Sequence, residues 1–371
     1  MNYHQWKWQR RCNHLDFDVE AWYPILKNHT FYTEFVPITP AIANAFINFY
    51  QTRYNSKVLF DSDDLKAIRL VEDHLKHQVF DSKTSRFRAS GAFVRLSSRS
   101  PKDGDPLDTQ LLIQSYSQAI ALLRSTYPDE YVSIDGKANL EMIAHSRAQF
   151  ECLKVTSAHE ALNLILSSER VFTDLIEAVD CQEIQNDWKT NIIVRQWSPL
   201  LDPSMEFRCF VYRSKLTAIS QYNHYCRFEQ FQNENFVQRI KTIIVDYWQK
   251  EIQELLDACG EVYLNYVIDI GVIEKGALSN LECIVIELNP FAPSTGASLF
   301  DWRTDIDQLK GERADIEIRV RSNYFPNIIE YTAYILQESM IQAGESHTVI
   351  NRRDSYSHFL DKMQIKMSAV E

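Results

Sequence analysis

A short apolar run near the middle of the second half of the chain carries two oxygen donors that suit magnesium. Glu287 and Asn289 lie within the run 284–291, and Asp269 stands eighteen positions before Glu287 at the end of another apolar run. Because a strand alternates its faces with period two, Glu287 and Asn289 are expected to point the same way. Magnesium prefers hard oxygen ligands and is commonly held by one or two carboxylates together with substrate phosphates. These three residues are therefore candidate ligands in a Mg-ATP site. The alternative, that Glu287 ends a strand and Asn289-Pro290 starts a turn, stays open from this segment alone.

Charged residues inside other strand-like runs indicate an anion site. Arg95 lies within the apolar run 93–96, where an unpaired guanidinium is costly to bury, so it is expected to face an anion or a carboxylate. Glu206 and Arg208 share one face of another such run, and they could serve a phosphate site or simply pair and stiffen a hairpin. The segment 195–197 ends a third run, where backbone groups and an indole could receive an adenine. A core tryptophan is an equally good interpretation there.

The scarcity of glycine excludes several familiar nucleotide sites. The chain has nine glycines and no G-x-G-x-x-G motif. Gly271 and Gly276 have the outer spacing of a P-loop, but Ala277-Leu278 stand where Lys and Ser or Thr are required. The chain also lacks the G-x-S-x-G and H-E-x-x-H motifs of serine hydrolases and zinc proteases. If the protein binds a nucleotide, side chains rather than a glycine-rich loop must hold it.

Composition predicts a globular cytoplasmic protein. The 371 residues are 45% hydrophobic, enough for a large core, and the net charge of -11 disfavours general nucleic-acid binding. The seven cysteines are scattered without a C-x-x-C pair, which favours neither zinc nor disulfides and fits a reducing cytosol. No segment resembles a signal peptide or reaches the length of a membrane span, so we expect no membrane association.

Alternating helices and strands must position these candidates. Arg213-Ser214 is expected to form a tight hairpin turn between two strands. The stretch from about 107 to 178 is predicted to be mainly helical, and the polar stretch from about 346 to 371 to be loosely held. Periodicity predicts strands at 31–38, 191–197, 206–212, 215–221, 262–270 and 281–288, and helices at 40–51, from 62, at 236–258 and at 327–342.

Six short segments, taken in order, carry a family resemblance. They are 21–24 (AWYP), 95–103 (RLSSRSPKD), 195–197 (RQW), 206–211 (EFRCFV), 219–222 (ISQY) and 286–291 (IELNPF). Their succession resembles the cell-division-cycle protein 123 family over about residues 17–305. The most specific pieces are E-F-R-C-F-V and the N-P-F that follows a carboxylate. Relative to the simplest members, the stretch from about 107 to 150 reads as a helical insertion.

The resemblance implies an α+β fold of the ATP-grasp type, in which two α+β lobes hold ATP between them. It implies a single domain over 1–345, composed of an N-terminal region (1–90), a lobe with the nucleotide loop, helical insert and hinge (91–197) and a lobe with the magnesium site (198–345). Eukaryotic members are known as assembly chaperones that bind the gamma subunit of translation initiation factor 2. ATP and Mg²⁺ are thus the expected cofactors, and that subunit the expected partner.

The resemblance also assigns site residues. Those expected to contact ATP or to line its phosphate loop are Arg95, Ser97, Ser98, Ser100, Lys102, Asp103, Glu206 and Arg208. The expected adenine hinge is Arg195, Gln196 and Trp197, and the expected metal ligands are Asp269, Glu287 and Asn289.

Two functional classes remain open from the sequence. One is a chaperone that uses ATP as a structural element. The other is an ATP-grasp ligase or kinase-like transferase acting on a protein, RNA end or small molecule, in which Arg208 and Lys102 neutralise the charge that develops during transfer.

Overall fold

The computed structural model describes residues 15–53, 59–108, 110–185, 188–275 and 280–344, and side-chain environments are given for these except 182–185 and 338–344. The predicted polar tail at 346–371 lies outside the described residues. Helices and strands alternate around two antiparallel-rich sheets. Among the described helices, none is both long and apolar enough to cross a bilayer.

The first lobe is built on a four-stranded antiparallel sheet with the strand order β1 (Thr33–Pro37), β4 (Asn191–Gln196), β2 (Ala92–Leu96) and β3 (Lys154–Val155). Two of its helices begin at side-chain caps: the Thr39 hydroxyl accepts a hydrogen bond from the Ile42 amide beside Pro40, and Asp61 forms a capping box with Asp64. The elements are α1 (Val19–Leu26), β1 (Thr33–Pro37), α2 (Pro40–Thr52), α3 (Ser62–His74, continued by a π-helical turn at Leu75–Phe80), α4 (Phe87–Ser90) and β2 (Ala92–Leu96).

The next part of the chain is mainly helical, as the sequence predicts, with a two-residue strand within it and a six-residue strand at its end. The elements are α5 (Leu111–Thr126), α6 (Pro128–Val132), α7 (Ile134–Glu151), β3 (Lys154–Val155), α8 (Ala158–Ser167), α9 (Glu169–Gln185) and β4 (Asn191–Gln196). Helix α8 packs into the core of the first lobe through Leu162 and Ile165, whereas α7 packs into the core of the second lobe through Leu140 and Ile143. The segment that reads as an insertion therefore rests on the second lobe.

The second lobe is built on a five-stranded sheet with the strand order β8 (Leu281–Pro290), β7 (Asn265–Glu274), β5 (Glu206–Tyr212), β6 (Lys215–Gln221) and β9 (Glu317–Arg319). Only the β6–β9 pair is parallel. The elements are β5 (Glu206–Tyr212), β6 (Lys215–Gln221), α10 (Glu234–Tyr247, continued by a π-helical turn at Trp248–Ile252), α11 (Gln253–Asp257), β7 (Asn265–Glu274), β8 (Leu281–Pro290), α12 (Ile306–Leu309), β9 (Glu317–Arg319) and α13 (Ile328–Gly344).

Two sequence expectations differ from the structure in this lobe. The sequence predicts that Val262 lies in a strand, but it lies in a 3-10 turn at Gly260–Tyr263 and the strand begins at Asn265, because the turn must first bring the chain back to the sheet. A turn at Asn289-Pro290 is one interpretation of the sequence, but both residues lie in β8, where Pro290 lies opposite Tyr266. The hairpin turn at Arg213-Ser214 is confirmed, and both residues have positive φ.

A bulge in β8 sets the direction of the residues that face the cleft. Asp269 lies opposite Glu287, but the next pair is Ile270 with Val285, so Ile286 is an extra residue without a partner on β7. A bulge bends a strand and re-aims the side chains beside it. Val285 also bridges Thr30, which ties the segment before β1 to the edge of the second sheet.

Candidate functional site

A pocket lies between the two sheets. Strands β2 and β4 supply its wall from the first lobe, and β5 and β8 supply its wall from the second. One part of the lining is charged and another is apolar, which is the lining expected of a site for a charged ligand with a flat ring. The lining residues are Phe31, Phe93, Arg95, Ser100, Lys102, Phe150, Leu153, Arg195, Gln196, Trp197, Ser198, Leu201, Glu206, Ile286 and Glu287.

Arg95 reaches across the cleft from β2 to β8. Its Nη1 donates to Glu287 Oε2, while Nε donates to the Leu96 carbonyl oxygen at 3.1 Å and Nη2 to the Ser98 carbonyl oxygen at 3.0 Å. Burial alone would raise the pKa of Glu287, but Arg95 and Lys102 outweigh it and hold that pKa well below its ordinary value. Glu287 is therefore ionised, and Arg95 faces a carboxylate, one of the two kinds of partner that the sequence predicts for it.

Arg208 and Asp269 form a second buried ion pair behind Glu287. Arg208 Nε and Nη2 donate to the two Asp269 oxygens at 2.8 and 2.7 Å, a bidentate geometry. Asn289 Nδ2 also donates to Asp269 Oδ2, at 3.3 Å. Although burial opposes charge on Arg208, the Asp269 carboxylate raises the pKa of that guanidinium. The three residues proposed as metal ligands thus lie together, with Arg208 among them.

Lys102 and Glu206 complete the charged part of the cleft. Lys102 is exposed, and its Nζ donates to the Tyr222 hydroxyl at 2.9 Å and lies 4.8 Å from the centre of that ring. The guanidinium of Arg208 lies equally close to the same ring. Burial raises the pKa of Glu206 to about 7, although Lys102 opposes the shift. Tyr222 lay in a segment used for the family resemblance, but nothing in the sequence showed that it would contact both cations.

The charges around this cleft do not cancel. A triphosphate therefore suits them, because it would bring negative charge to buried cations. Among the described residues, four cationic side chains meet three carboxylates here, and one of the carboxylates is Glu206, whose pKa of about 7 leaves it partly protonated at neutral pH. The cations are Arg95, Lys102, Arg195 and Arg208, and the carboxylates are Glu206, Asp269 and Glu287.

Arg195 lies at the junction of the two lobes. Its Nη1 donates to the Ile286 carbonyl oxygen and its Nη2 to Thr30 Oγ1, both at 2.6 Å. Within the described part of the chain its buried Nε has no hydrogen-bond partner. Burial, reinforced by the nearby Arg95, lowers the pKa of Arg195 to about 9. The residue assigned to the adenine hinge thus also holds the β8 bulge against the first lobe.

The other two hinge residues, Gln196 and Trp197, line the pocket. Their backbone amides already donate hydrogen bonds within the protein. The Gln196 amide donates to the Tyr32 carbonyl oxygen at 2.8 Å, and the Trp197 amide donates to that of Gly91 at 3.1 Å. An adenine in this pocket would therefore meet other groups than these two amides. The indole of Trp197 packs on Phe150, with ring centres 4.6 Å apart.

Sequence reasoning did not identify most of the apolar wall. Its members come from distant elements and share no spacing, so no local pattern could group them. They are Phe31, Phe93, Phe150, Leu153, Leu201 and Ile286.

Some residues of the polar loop after β2 line the pocket, and others hold the loop in place. Ser100 lines the pocket, as the resemblance implied. Ser97 is fully buried, and its hydroxyl accepts a hydrogen bond from the Asn191 amide at 2.9 Å. Ser98 donates to Asp174. Asp103 accepts from the Ser168 hydroxyl and from the Arg170 amide at the start of α9. These last three side chains hold the loop in place and are outside the pocket lining.

The donor set fits a divalent ion that is bound together with phosphates. Asp269 and Glu287 lie opposite each other on neighbouring strands, with Asn289 beside them. Two carboxylates and an amide leave coordination positions for phosphate oxygens, which is the usual arrangement for magnesium. Across the described residues there is no group of three or more His, Cys, Asp or Glu side chains placed to hold a metal. The site suits a cation that arrives with its own oxygen ligands.

Comparisons with known proteins identify one family and one fold. The model of the D123 family matches residues 145–340. The solved structure of Cdc123 from Schizosaccharomyces pombe covers 84% of this chain, with 97% of its own length aligned, a TM-score of 0.52 and 20% identity. That likeness confirms the α+β ATP-grasp fold with two lobes.

Curated relatives of this chain carry the name translation initiation factor eIF2 assembly protein. The one from Schizosaccharomyces pombe is 30% identical over 57% of this chain and 64% of its own length. The one from Dictyostelium discoideum is 31% identical over 43% of this chain and 39% of its own length. The match therefore spans less than two thirds of either relative.

Proposed function

This chain belongs to the D123 family, whose model matches more than half of it, and from that premise we propose that it binds Mg-ATP and assists assembly of translation initiation factor 2. The proposed partner is the gamma subunit of that factor, and the proposed location is the cytoplasm. The names of the curated relatives support the assembly role.

The observation that carries the nucleotide part is the uncancelled positive charge in the cleft between the lobes. Arg95, Arg208 and Arg195 are each more than nine-tenths buried. Burying cations without equal opposite charge is costly, so a site of this kind is stabilised by an anionic ligand. The apolar wall beside them, with Phe150 packed on Trp197, suits an adenine ring.

Each group of side chains has a distinct role in this proposal. Arg95, Lys102 and Arg208 bind phosphate oxygens, the two arginines through planar donor groups and the lysine as a point charge. Asp269 and Glu287 hold magnesium together with the amide oxygen of Asn289. When bound, magnesium neutralises phosphate charge that the protein's cations leave uncovered.

Calorimetry with Mg-ATP tests the binding step. Lys102→Met removes an exposed cation that makes no backbone hydrogen bond in the structure, so we expect a folded protein with at least about tenfold weaker Mg-ATP binding. Lys83→Met changes an exposed lysine elsewhere in the first lobe and is the matched control, with the parent's affinity. Equal binding by the parent and Lys102→Met would contradict the phosphate role of Lys102.

A second experiment separates the assembly role from the enzymatic alternative. The protein is mixed with the purified gamma subunit and Mg-ATP, and both complex formation and nucleotide products are measured. The assembly role predicts a stable complex and intact ATP. Consumption of ATP with transfer to an acceptor, and no complex, would favour the ligase or transferase interpretation.

A further inference from the structure

The two carboxylates proposed to hold magnesium are already engaged by arginines. Glu287 accepts from Arg95, and Asp269 accepts from two nitrogens of Arg208. The Asp269 side chain is fully buried and that of Glu287 is 20% exposed. A cation arriving alone would therefore have to separate two largely buried ion pairs, which is strongly unfavourable because each arginine would lose its partner.

The same two arginines are the proposed phosphate ligands. A metal-free triphosphate could reach them only by competing with Glu287 and Asp269, and it would then lie beside two unpaired carboxylates of its own sign. Like charges at such distances in a partly buried site repel strongly. A triphosphate alone is thus also a poor ligand.

Each arginine also donates hydrogen bonds to backbone carbonyl oxygens, and these can remain when its carboxylate partner is replaced. Arg95 keeps its bonds to the Leu96 and Ser98 carbonyl oxygens through Nε and Nη2, and only Nη1 contacts Glu287. Arg208 Nη1 donates to the Gly296 carbonyl oxygen at 2.6 Å, while its other two nitrogens contact Asp269. Each guanidinium can therefore exchange a carboxylate for a phosphate without leaving its position in the sheet.

We propose that Arg95 and Arg208 make this site selective for a metal–nucleotide complex over either component alone. They do so by exchanging Glu287 and Asp269 for phosphate oxygens, which frees the carboxylates for the metal at the moment the metal arrives. Every charge then has a partner both before and after binding. This inference rests on the proposed binding of Mg-ATP and adds to it the way in which the site distinguishes its ligands.

Glu287→Gln tests the exchange from the side of the nucleotide. The amide is isosteric and can still accept a hydrogen bond from Arg95, but it no longer competes as an anion. In the presence of EDTA, we expect this variant to bind ATP about tenfold more tightly than the parent does, and to gain little when magnesium is added. A simple loss of a metal ligand would leave metal-free ATP binding unchanged.

Arg95→Gln tests the exchange from the side of the metal. With the guanidinium removed, Glu287 is no longer held, and we expect Mn²⁺ without nucleotide to bind at least about tenfold more tightly than to the parent. Arg99→Gln is the matched control, because Arg99 stands in the same loop but pairs with Asp174 away from the cleft. That variant should bind Mn²⁺ as the parent does.

The outcomes separate this inference from the proposed function. If the parent binds Mg-ATP but Glu287→Gln binds metal-free ATP no more tightly than the parent, the exchange is overturned and the proposed function stands. If the parent binds no nucleotide, the proposed function fails, and the Mn²⁺ comparison still decides whether Arg95 masks Glu287. If Arg95→Gln does not fold, the Glu287→Gln measurement decides alone.

Discussion

Removing the charge of Glu206 should change how stability depends on pH. Its folded pKa of about 7 lies above the ordinary value of 4.5, so the folded protein binds this proton more tightly than the unfolded chain does. The stability associated with the proton is fully present below pH 4.5 and is lost as the pH rises through 7. The difference, 7 minus 4.5, corresponds to at most about 3–4 kcal/mol, at roughly 1.4 kcal/mol for each pKa unit.

Glu206→Gln cannot ionise and should escape this loss. We expect its free energy of unfolding, relative to that of the parent, to rise by up to about 3–4 kcal/mol between about pH 4.5 and about pH 8. Urea unfolding of both proteins across this range measures the difference, and any constant effect of the amide cancels. Glu261→Gln, at an exposed position, is the control and should show no such rise.

A difference between Glu206→Gln and the parent that stays constant across this pH range would mean that Glu206 titrates alike in the folded and unfolded chains. The cleft would then be far better hydrated than its lining indicates, and its buried charge would no longer support nucleotide binding there.

Three further variants test the roles of individual contacts. Asp269→Asn should lower the free energy of unfolding by about 3–5 kcal/mol, because it leaves Arg208 buried without its bidentate partner, and chemical denaturation measures this; an unchanged stability would contradict the ion pair. Ser97→Ala should lower the free energy of unfolding by about 1–3 kcal/mol, because it removes the acceptor of the Asn191 amide, and it should leave Mg-ATP binding unchanged. Weaker Mg-ATP binding without a loss of stability would place Ser97 in the site instead. Replacing Arg213-Ser214 by Asn-Gly should raise the thermal midpoint and add about 0.5–1 kcal/mol, because both positions have positive φ; a lower midpoint would argue against the observed turn.

Local patterns in the sequence predicted much of the second sheet. The hairpin at Arg213-Ser214 followed from two apolar runs separated by two residues, a relation that depends only on neighbours in the chain. Period-two alternation placed Glu287 and Asn289 on one face, and both lie near Asp269. Such features are predictable because each is set within a few residues.

Other features of the site depend on contacts between distant segments. The bulge at Ile286 exists only relative to the register of β7, and the Arg95–Glu287 pair joins residues 192 positions apart. The sequence required Arg95 to face an anion or a carboxylate, but it could not say which. The family resemblance also grouped Asp103 with the ATP-contacting residues. In the structure its carboxylate instead accepts hydrogen bonds at the start of α9. The polar sequence of the loop indicates that its side chains make polar contacts. Only the tertiary structure shows which of them face the ligand site and which hold the loop in place.

The central claim is that nucleotide binds between the two sheets without a glycine-rich loop. Crystals grown with Mg²⁺ and a non-hydrolysable ATP analogue test it most directly. We expect density for the triphosphate in contact with Arg95, Lys102 and Arg208, and a metal beside Asp269 and Glu287. A vacant cleft in such crystals, or a nucleotide bound at another place on the protein, would contradict it.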